Sequence, residues 1–501
     1  METLESYDRL PYESLPIPQS QPDLLAALAR LHGLAPPDPA SARVLELGCA
    51  GGGNLAPLAW RWPASRWVGV ELSRVQAQAA AAFIDRLGLK NARVLHADLA
   101  QLPAELGPFD YIIAHGVYSW APPPVRQALL DLCRERLAPD GLAYVSFNVA
   151  AGWKPLLPLR KALLAATSAD APPAIRCGEA RAALEVLARE TADAALREEI
   201  VHLQVASDAY LFHEYLAEFN EPVSFAAFAA QLDASGLRYA GDAGARRAVA
   251  AVDGAQQLAP ETLARRWLDA EAALDEALGT RFRRALLCRA DGPVPSPPQA
   301  EALSGVSFYA DLVSDEEIDL DSTAEQRFVN AAGQAFPVAL PLAKAGLMAL
   351  SSAYPDALAY DELAFSAQSV LAQFGASPER DEEAFRDALF ALLMAQAVLP
   401  TVSTQRYGCA PGERPRAHAL ARLQAATPGC AATGARHEAV DLDAAGRALL
   451  SLLDGSRSLD ELAGLMRAEL AAQGHAFPGE RVREMTERQL WTFARHGLLA
   501  R

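Results

Sequence analysis

Arg43-Val44-Leu45-Glu46-Leu47-Gly48-Cys49-Ala50-Gly51-Gly52-Gly53-Asn54, followed by Val68-Gly69-Val70-Glu71, is the stretch that decides the fold. It reads as a buried strand, a glycine-rich turn, a helix, a second buried strand and a terminal carboxylate. A parallel α/β sheet places its ligand beyond the carboxyl ends of its strands. Glycines there let the backbone approach a ligand closely, and Glu71 can accept hydrogen bonds from ribose hydroxyls.

The turn also fits a loose dinucleotide fingerprint through Gly48, Ala50 and Gly53. Glu46 separates the two readings. It precedes Gly48 in the strand, where a carboxylate repels a pyrophosphate and attracts an ammonium group. Val94-Leu95-His96-Ala97-Asp98 reads as a third strand ending in another acid, placed to accept from an adenine amino group. Acids at successive strand ends go beyond an ordinary α/β turn with solvated carboxylates. They fit S-adenosylmethionine, which carries an ammonium, a sulfonium and a ribose but no phosphate. The expected cofactor-binding residues are Glu46, Gly48, Cys49, Ala50, Gly52, Asn54, Glu71, Leu72, Asp98, Leu99 and His115.

A chain of 501 residues predicts roughly three domains at about 150 residues each. A net charge of −17 opposes nonspecific nucleic-acid binding and favours basic acceptors. The cysteines at 49, 133, 177, 288, 409 and 430 show no metal-ligand spacing and read as free thiols of a reducing compartment, with no metal expected. The acidic start Met-Glu-Thr-Leu-Glu is no secretory signal, and no apolar run is long enough to span a bilayer. A cytoplasmic protein without membrane insertion is expected.

The alternating pattern predicts strands at 43–47, 66–71, 92–96, 109–114 and 141–147, with helices at 54–62, 73–87 and 123–136. A further helix should start near Pro22. Ser73 and Gln76 form a capping-box pair and Gly88 stops their helix. From 155 onward the chain turns alanine-rich and helical, broken at Ala171-Pro172-Pro173. The segments around 236–240 and 282–288 read as an antiparallel hairpin closing the sheet, which makes 155–222 and 245–278 helical insertions. The other reading is a separate helical domain over 155–280. Asp291-Gly-Pro-Val-Pro-Ser-Pro-Pro298 reads as a linker before a β-rich stretch at 305–338. Beyond it lies a repeat with a period near 100 residues: Ala345-Gly346 matches Ala445-Gly446, Leu350 matches Leu450, and Asp361-Glu362-Leu363 matches Asp460-Glu461-Leu462. Each copy predicts about three helices with a β tip, a winged-helix-like plan. Asp381, Glu382, Glu383 and Asp387 against Arg380 and Arg386 make copy one a poor groove reader, so protein–protein or substrate docking is expected over DNA.

Several runs together resemble one family. They are Tyr7-Asp8 with Pro11-Tyr12, Leu45–Ala50 with Gly52–Leu55, Gly88–Asn91, and Phe109 through His115-Gly116-Val117-Tyr118-Ser119-Trp120. Later runs are His213-Glu214-Tyr215-Leu216, Asn220-Glu221-Pro222-Val223, Phe282-Arg283 with Leu286-Leu287-Cys288, and Arg414-Pro415 with Ala421-Arg422 and Gln424-Ala425. They resemble the bacterial protein-lysine methyltransferases first known for modifying outer-membrane proteins, and depart from them at Phe147 and Ala151. The resemblance implies an α/β, Rossmann-like class I methyltransferase sheet with helical insertions, plus a mainly α tandem winged-helix-like C-terminal domain. It also implies S-adenosylmethionine dependence and suggests a homodimer. The expected organisation is an N-terminal lid segment (1–20), a cofactor-binding core (21–154), and regulatory insertions with the closing hairpin (155–290). A linker and connector (291–337) and the tandem domain (338–501) follow.

Methyl transfer mainly requires positioning, and a lysine acceptor must also lose a proton from a group whose ordinary pKa is about 10.4. Desolvation helps by disfavouring the charged amine. The loop after the fourth strand supplies apolar walls with polar tips, so His115, Tyr118 and Trp120 are the expected catalytic residues. Tyr7 and Tyr12 fit a lid over the cofactor, while His213 fits a structural role among Tyr210, Phe212 and Tyr215. The expected activity is N-methylation of lysine side chains in a protein or peptide. The alternatives are a small-molecule O- or N-methyltransferase whose C-terminal domain docks a partner, and a non-catalytic nucleotide-binding regulator.

Overall fold

The computed structural model describes residues 8–244, 259–375, 381–408 and 410–500. Tyr7, the 245–258 part of the expected insertion, Arg380 and Cys409 lie outside the described residues. The chain divides into two compact units. Among the described residues, the first takes those up to Ser14, Leu34–Gly244 and the stretch ending at Pro297, and the second takes Leu15–Gly33 and the chain from Pro298.

The first unit is built on a seven-stranded sheet. Its strands are β1 (Arg43–Leu47), β2 (Arg66–Glu71), β3 (Ala92–His96), β4 (Phe109–Ala114), β5 (Leu137–Asn148), β6 (Leu237–Asp242) and β7 (Phe282–Arg289). Their order is β3-β2-β1-β4-β5-β7-β6. The first five run parallel and β7 runs antiparallel between β5 and β6. The central strands read as unbroken apolar runs because both their faces are covered, and Tyr111, Ile112, Ile113 and Ala114 are all buried. β1 has β2 on one side and β4 on the other, so the chain changes direction across the sheet there. That switch opens a crevice beyond the carboxyl ends of β1 and β4.

The helix Arg74–Leu87 starts at Ser73, whose hydroxyl accepts from the Gln76 amide, and ends at Gly88 in the left-handed region. β5 begins earlier than the sequence suggests, at Leu137, and a register shift between Phe109 and Tyr111 absorbs the extra residues. The pairing of β6 with β7 decides between the two readings of 155–280: the hairpin closes the sheet. The helices Leu157–Ala166, Pro173–Glu190 and Ala194–Val205 are then an insertion with its own core, built on Leu163, Leu184, Ile200, Leu203 and Tyr215.

Two boundaries differ from the sequence reading. The helix Pro22–Leu31 was placed in the cofactor-binding core and instead packs within the second unit. All of its residues except Arg30 are buried, as expected for a helix that is apolar all round. Asp23 accepts from the Thr401 hydroxyl at 2.9 Å, and Gln21 donates to the Arg436 carbonyl at 2.9 Å. The stretch from Pro298 is also no mere connector. Ser307–Tyr309 is the middle strand of a three-stranded sheet with Leu358–Ala359 and Leu399–Thr401.

The repeat is present as two three-helix sets. Pro341–Ala353, Tyr360–Gln373 and Glu382–Met394 form one, and Ala444–Leu452, Leu459–Ala472 and Gly479–Arg495 form the other. The matched leucines do the same job in each copy: Leu350, Leu450, Leu363 and Leu462 are all fully buried. In the second copy Arg483 is engaged by Asp460 at 2.8 Å and Glu487 at 3.6 Å, which blunts its basic face.

Candidate active site

The glycine turn folds back onto the end of β2. The amides of Gly48 and Cys49 donate to the Val70 carbonyl at 2.8 and 3.2 Å. Gly48 has φ +70°, and a Cβ there would lie 2.9 Å from Val117 Cγ2. Ala50 takes φ +47°, a conformation that strains a residue with a Cβ. Its amide is held by Glu71 Oε2 at 2.8 Å, while Glu71 Oε1 accepts from the Ser73 amide at 2.8 Å. Glu71 thus fixes the turn and keeps lone pairs for a further donor, since two carboxylate oxygens offer about four acceptor sites. Burial raises its pKa against these hydrogen bonds.

Glu46 is 3 % exposed. Its Oε1 accepts from the Asn54 side chain at 3.0 Å, and its Oε2 is buried without a hydrogen-bond partner among the described residues. Burial, with the nearby Glu71 charge, lifts its pKa to about 8 although Asn54 pulls the other way. A buried carboxylate oxygen left bare is costly unless a donor arrives. An ammonium group fits it. Gly52 packs its α-carbon against Ala80, and Cys49 is buried with its thiol pKa pushed far up, so it is inert.

The outer acid is placed somewhat differently from expectation. β3 ends at His96, and Asp98 caps the short turn Leu99–Gln101 through Oδ1 to the Ala100 amide at 2.9 Å. His96 Nε2 lies 3.1 Å from the Leu72 carbonyl, and the Leu72 side chain is exposed. Leu72 and half-buried Leu99 offer apolar surface beside two acids, a setting that suits a flat base.

The loop after β4 divides its residues between two tasks. His115 is half-buried, with Nδ1 2.8 Å from the Tyr144 hydroxyl and its ring edge-on to Phe282 at 5.7 Å. Burial and the Arg284 charge lower its pKa to about 3, so the ring is neutral near pH 7. Tyr118 is a correction to the sequence reading. It is fully buried, edge-on to Phe228 at 5.2 Å, and its hydroxyl donates to Gln231. The turn at Tyr118–Trp120 follows Gly116 at φ +67° and points this ring into the core between β5 and the helix Phe225–Ala234. Tyr118→Phe should therefore cost about 1 kcal/mol of stability through the lost hydroxyl and leave turnover per folded molecule unchanged. A large loss of turnover at an unchanged melting temperature would restore the catalytic assignment. Trp120 remains half-buried, its indole N–H donating to the His213 carbonyl at 3.1 Å.

The N-terminal segment crosses the same crevice. The Ser73 hydroxyl meets Asp8 Oδ1 at 2.5 Å, and the Gly53 amide donates to Ser14 Oγ at 2.7 Å. Gly53 has no room for a Cβ, which would collide with the Ser14 carbonyl. His213 Nε2 meets the Leu10 carbonyl at 2.8 Å and its ring lies 5.4 Å from that of Tyr12. His213 thus ties the N-terminal segment to the turn Phe212–Leu216, and Tyr12 lies against its ring. Ser14, Ser73 and Asp8 were missed as site residues because nothing local marks a contact across 39 or 65 positions. Among the described residues no group of three or more His, Cys, Asp or Glu could hold a metal ion, and no helix is long and apolar enough to cross a membrane.

Comparison with known proteins extends the picture. Residues 44–141 match the methyltransferase domain family, 207–289 the predicted methyltransferase regulatory domain, and 413–496 the PKMT C-terminal winged helix domain. The uncharacterized protein RP789 of Rickettsia prowazekii is 27 % identical over 463 residues, covering 90 % of this chain and 83 % of that one. RP028 of the same organism is 31 % identical over 229 residues, 44 % of this chain and 92 % of that one. Among solved structures, PKMT2 from Rickettsia typhi in complex with AdoHcy superposes with a TM-score of 0.84 at 22 % identity, covering 98 % of this chain and all of that one. At that identity the likeness speaks to fold, and the fold is shared across both units.

Proposed function

Because this chain belongs to the bacterial protein-lysine methyltransferase family, we propose that it N-methylates lysine side chains of a protein acceptor. The family joins an S-adenosylmethionine-dependent catalytic domain to a regulatory domain and a winged-helix C-terminal domain. The observation that carries our reading is Glu46, with one buried oxygen bare beside a glycine turn that closes on Glu71.

In this reading Glu46, held by the Asn54 side chain, pairs with the amino group of the cofactor, and the turn amides hold the glycine loop against the end of β2. Glu71 accepts from the ribose hydroxyls, Asp98 accepts from the adenine amine, and Leu72 and Leu99 cover the base. When bound, S-adenosylmethionine supplies a methyl carbon activated by its sulfonium. A neutral His115 sets no like charge against that sulfonium. Tyr12 and the 8–14 segment exclude water from the crevice, which strengthens these electrostatic contacts. Trp120, anchored to His213, forms an apolar wall toward the acceptor. The C-terminal unit supports a macromolecular acceptor, since a small metabolite needs no such platform.

The test is incubation of the protein with tritiated cofactor and a bacterial protein extract, followed by acid hydrolysis and amino-acid analysis. Label should appear as methylated lysine. Label confined to small molecules, or released by mild base as methyl ester, would overturn the protein-lysine reading.

A further inference from the structure

Tyr144 is fully buried on β5, so its phenol proton needs an acceptor inside the protein. Among the described residues, the acceptor its hydroxyl reaches is His115 Nδ1 at 2.8 Å. Arg284, whose charge also acts on this phenol, carries donors only. Burial drives the Tyr144 pKa up, so the phenol keeps its proton. Tyr144 therefore donates to Nδ1. The reverse bond, from Nδ1–H to the hydroxyl, would leave the phenol proton buried with no acceptor. The ring is neutral near pH 7, so its one remaining proton stands on Nε2. Stacking on Tyr144 (5.9 Å between centroids, 17° between planes) and the edge contact with Phe282 at 5.7 Å hold the imidazole in this pose. Across the half-buried ring, Nε2 has no hydrogen-bond partner among the described residues.

The strand register relates that N–H to Glu46. Glu46 pairs with Ile113 across β1 and β4, and Ile113 pairs with Tyr144 across β4 and β5. Paired residues of parallel strands project to one face, so Glu46, Ile113 and Tyr144 form a row on the same side of the sheet. His115 lies two positions beyond Ile113 and stacks on Tyr144, so it stands on that side too, just past the end of β4. Neighbouring strands are about 4.8 Å apart and two residues advance about 6.6 Å, which separates the Glu46 and His115 backbones by roughly 8 Å. A bare carboxylate oxygen and a bare N–H donor thus face the same crevice from adjoining strands. That pairing matches the two ends of an amino acid, whose ammonium and carboxylate sit on one carbon. The Arg284 guanidinium, over the Phe282 ring at 5.2 Å, adds positive charge behind the donor.

We propose that His115, its proton held on Nε2 by Tyr144, donates a hydrogen bond to the carboxylate at the amino-acid end of the cofactor, while Glu46 takes the ammonium. The inference rests on the cofactor placement above and not on the identity of the acceptor. It makes His115 a donor that holds the cofactor, not the base that removes the acceptor's proton. Tyr144 is then a positioning residue, which acts by fixing the tautomer of the ring beside it.

The test reads two quantities on the full chain. The first is affinity, by calorimetry, for S-adenosylhomocysteine and for its decarboxylated analogue, which keeps the ammonium. His115→Ala should weaken S-adenosylhomocysteine roughly tenfold and leave the analogue within about twofold of wild type. Equal losses for both ligands, or no loss for either, overturn the carboxylate contact. Glu46→Gln should weaken both ligands. If it weakens neither, the ammonium placement falls, and the His115→Ala comparison still decides the carboxylate. Wild type that binds neither ligand overturns the cofactor reading and the proposal together. Should His115→Ala fail to fold, His115→Phe keeps the ring packing, removes the N–H and carries the same expectation. The second quantity is the 15N spectrum of histidine-labelled protein, with the His115 signals assigned by their loss in the variant. A protonated Nε2 and a bare Nδ1 are expected, and a proton on Nδ1 overturns the proposal. Tyr144→Phe should shift the His115 ring signals, and signals left in place would show that Tyr144 does not set the tautomer.

Discussion

Glu46→Gln should weaken S-adenosylhomocysteine binding by about 1.5–3 kcal/mol, roughly ten- to a hundredfold in Kd, the usual cost of losing a hydrogen bond to a charged group. The substitution also removes a pH signature that no other residue of the turn supplies. Folding raises the Glu46 pKa from its ordinary 4.5 to about 8. Around pH 6–7 the ligand-free carboxyl therefore holds a proton, and pairing with the ligand ammonium expels it. Affinity should rise with pH by on the order of tenfold per unit between pH 6 and 7, the slope that linkage assigns to one released proton. Calorimetry in buffers of different ionisation enthalpy should register that proton. Glu46→Gln should flatten both effects. A wild-type affinity independent of pH over this range would show that the ammonium sits elsewhere. The same shift bears on stability. The folded state binds the extra proton, so the Glu46 contribution is fully present below 4.5 and is lost as pH rises through about 8. Saturating cofactor should erase that part of the loss.

The sequence was readable where structure is local and patterned. Buried parallel strands must be apolar along their whole length, so β1, β2 and β4 announced themselves, and an acid ending such a run stood out. The cap at Ser73 and the stop at Gly88 are chemistry within a single turn. The repeat was readable because Leu350 and Leu450 face the same problem of covering a three-helix core. What stayed hidden depends on distant partners. The helix Pro22–Leu31 shows only that it is apolar on every side, and nothing in it names Thr401 as the residue it meets. Tyr118 lies in a loop rich in chemistry, and its direction was set by a backbone twist at Gly116 that aims it at Phe228.

Arg283→Met should strongly destabilise the catalytic unit. Arg283 is 1 % exposed on β7 and serves several groups at once. Its Nε donates to Asp275 at 2.8 Å, its Nη2 to Glu271 Oε2 at 2.7 Å, and its Nη1 to the Tyr239 hydroxyl at 3.1 Å. Asp242 lies 3.7 Å from Nη1, and the guanidinium covers the Phe225 ring at 4.2 Å. Even with this cation beside it, burial keeps the Glu271 pKa up at about 7. Replacing the arginine by an apolar side chain strands three carboxyl groups in a dry site. Breaking a buried charge pair from one side costs about 3–5 kcal/mol. The measurement is urea unfolding followed by tryptophan fluorescence. The control is Arg483→Met, whose side chain faces solvent and whose loss should leave the midpoint unchanged. The deficit of Arg283→Met should also shrink as pH falls from 8 to 5. Without the cation the buried Glu271 carboxyl, already raised, takes up a proton in the folded state more readily than in the unfolded chain, so acid stabilises the variant relative to wild type. A midpoint within error of wild type at pH 8, or a deficit that widens on acidification, would mean that the cluster does not hold the closing hairpin to the helix Pro260–Leu278.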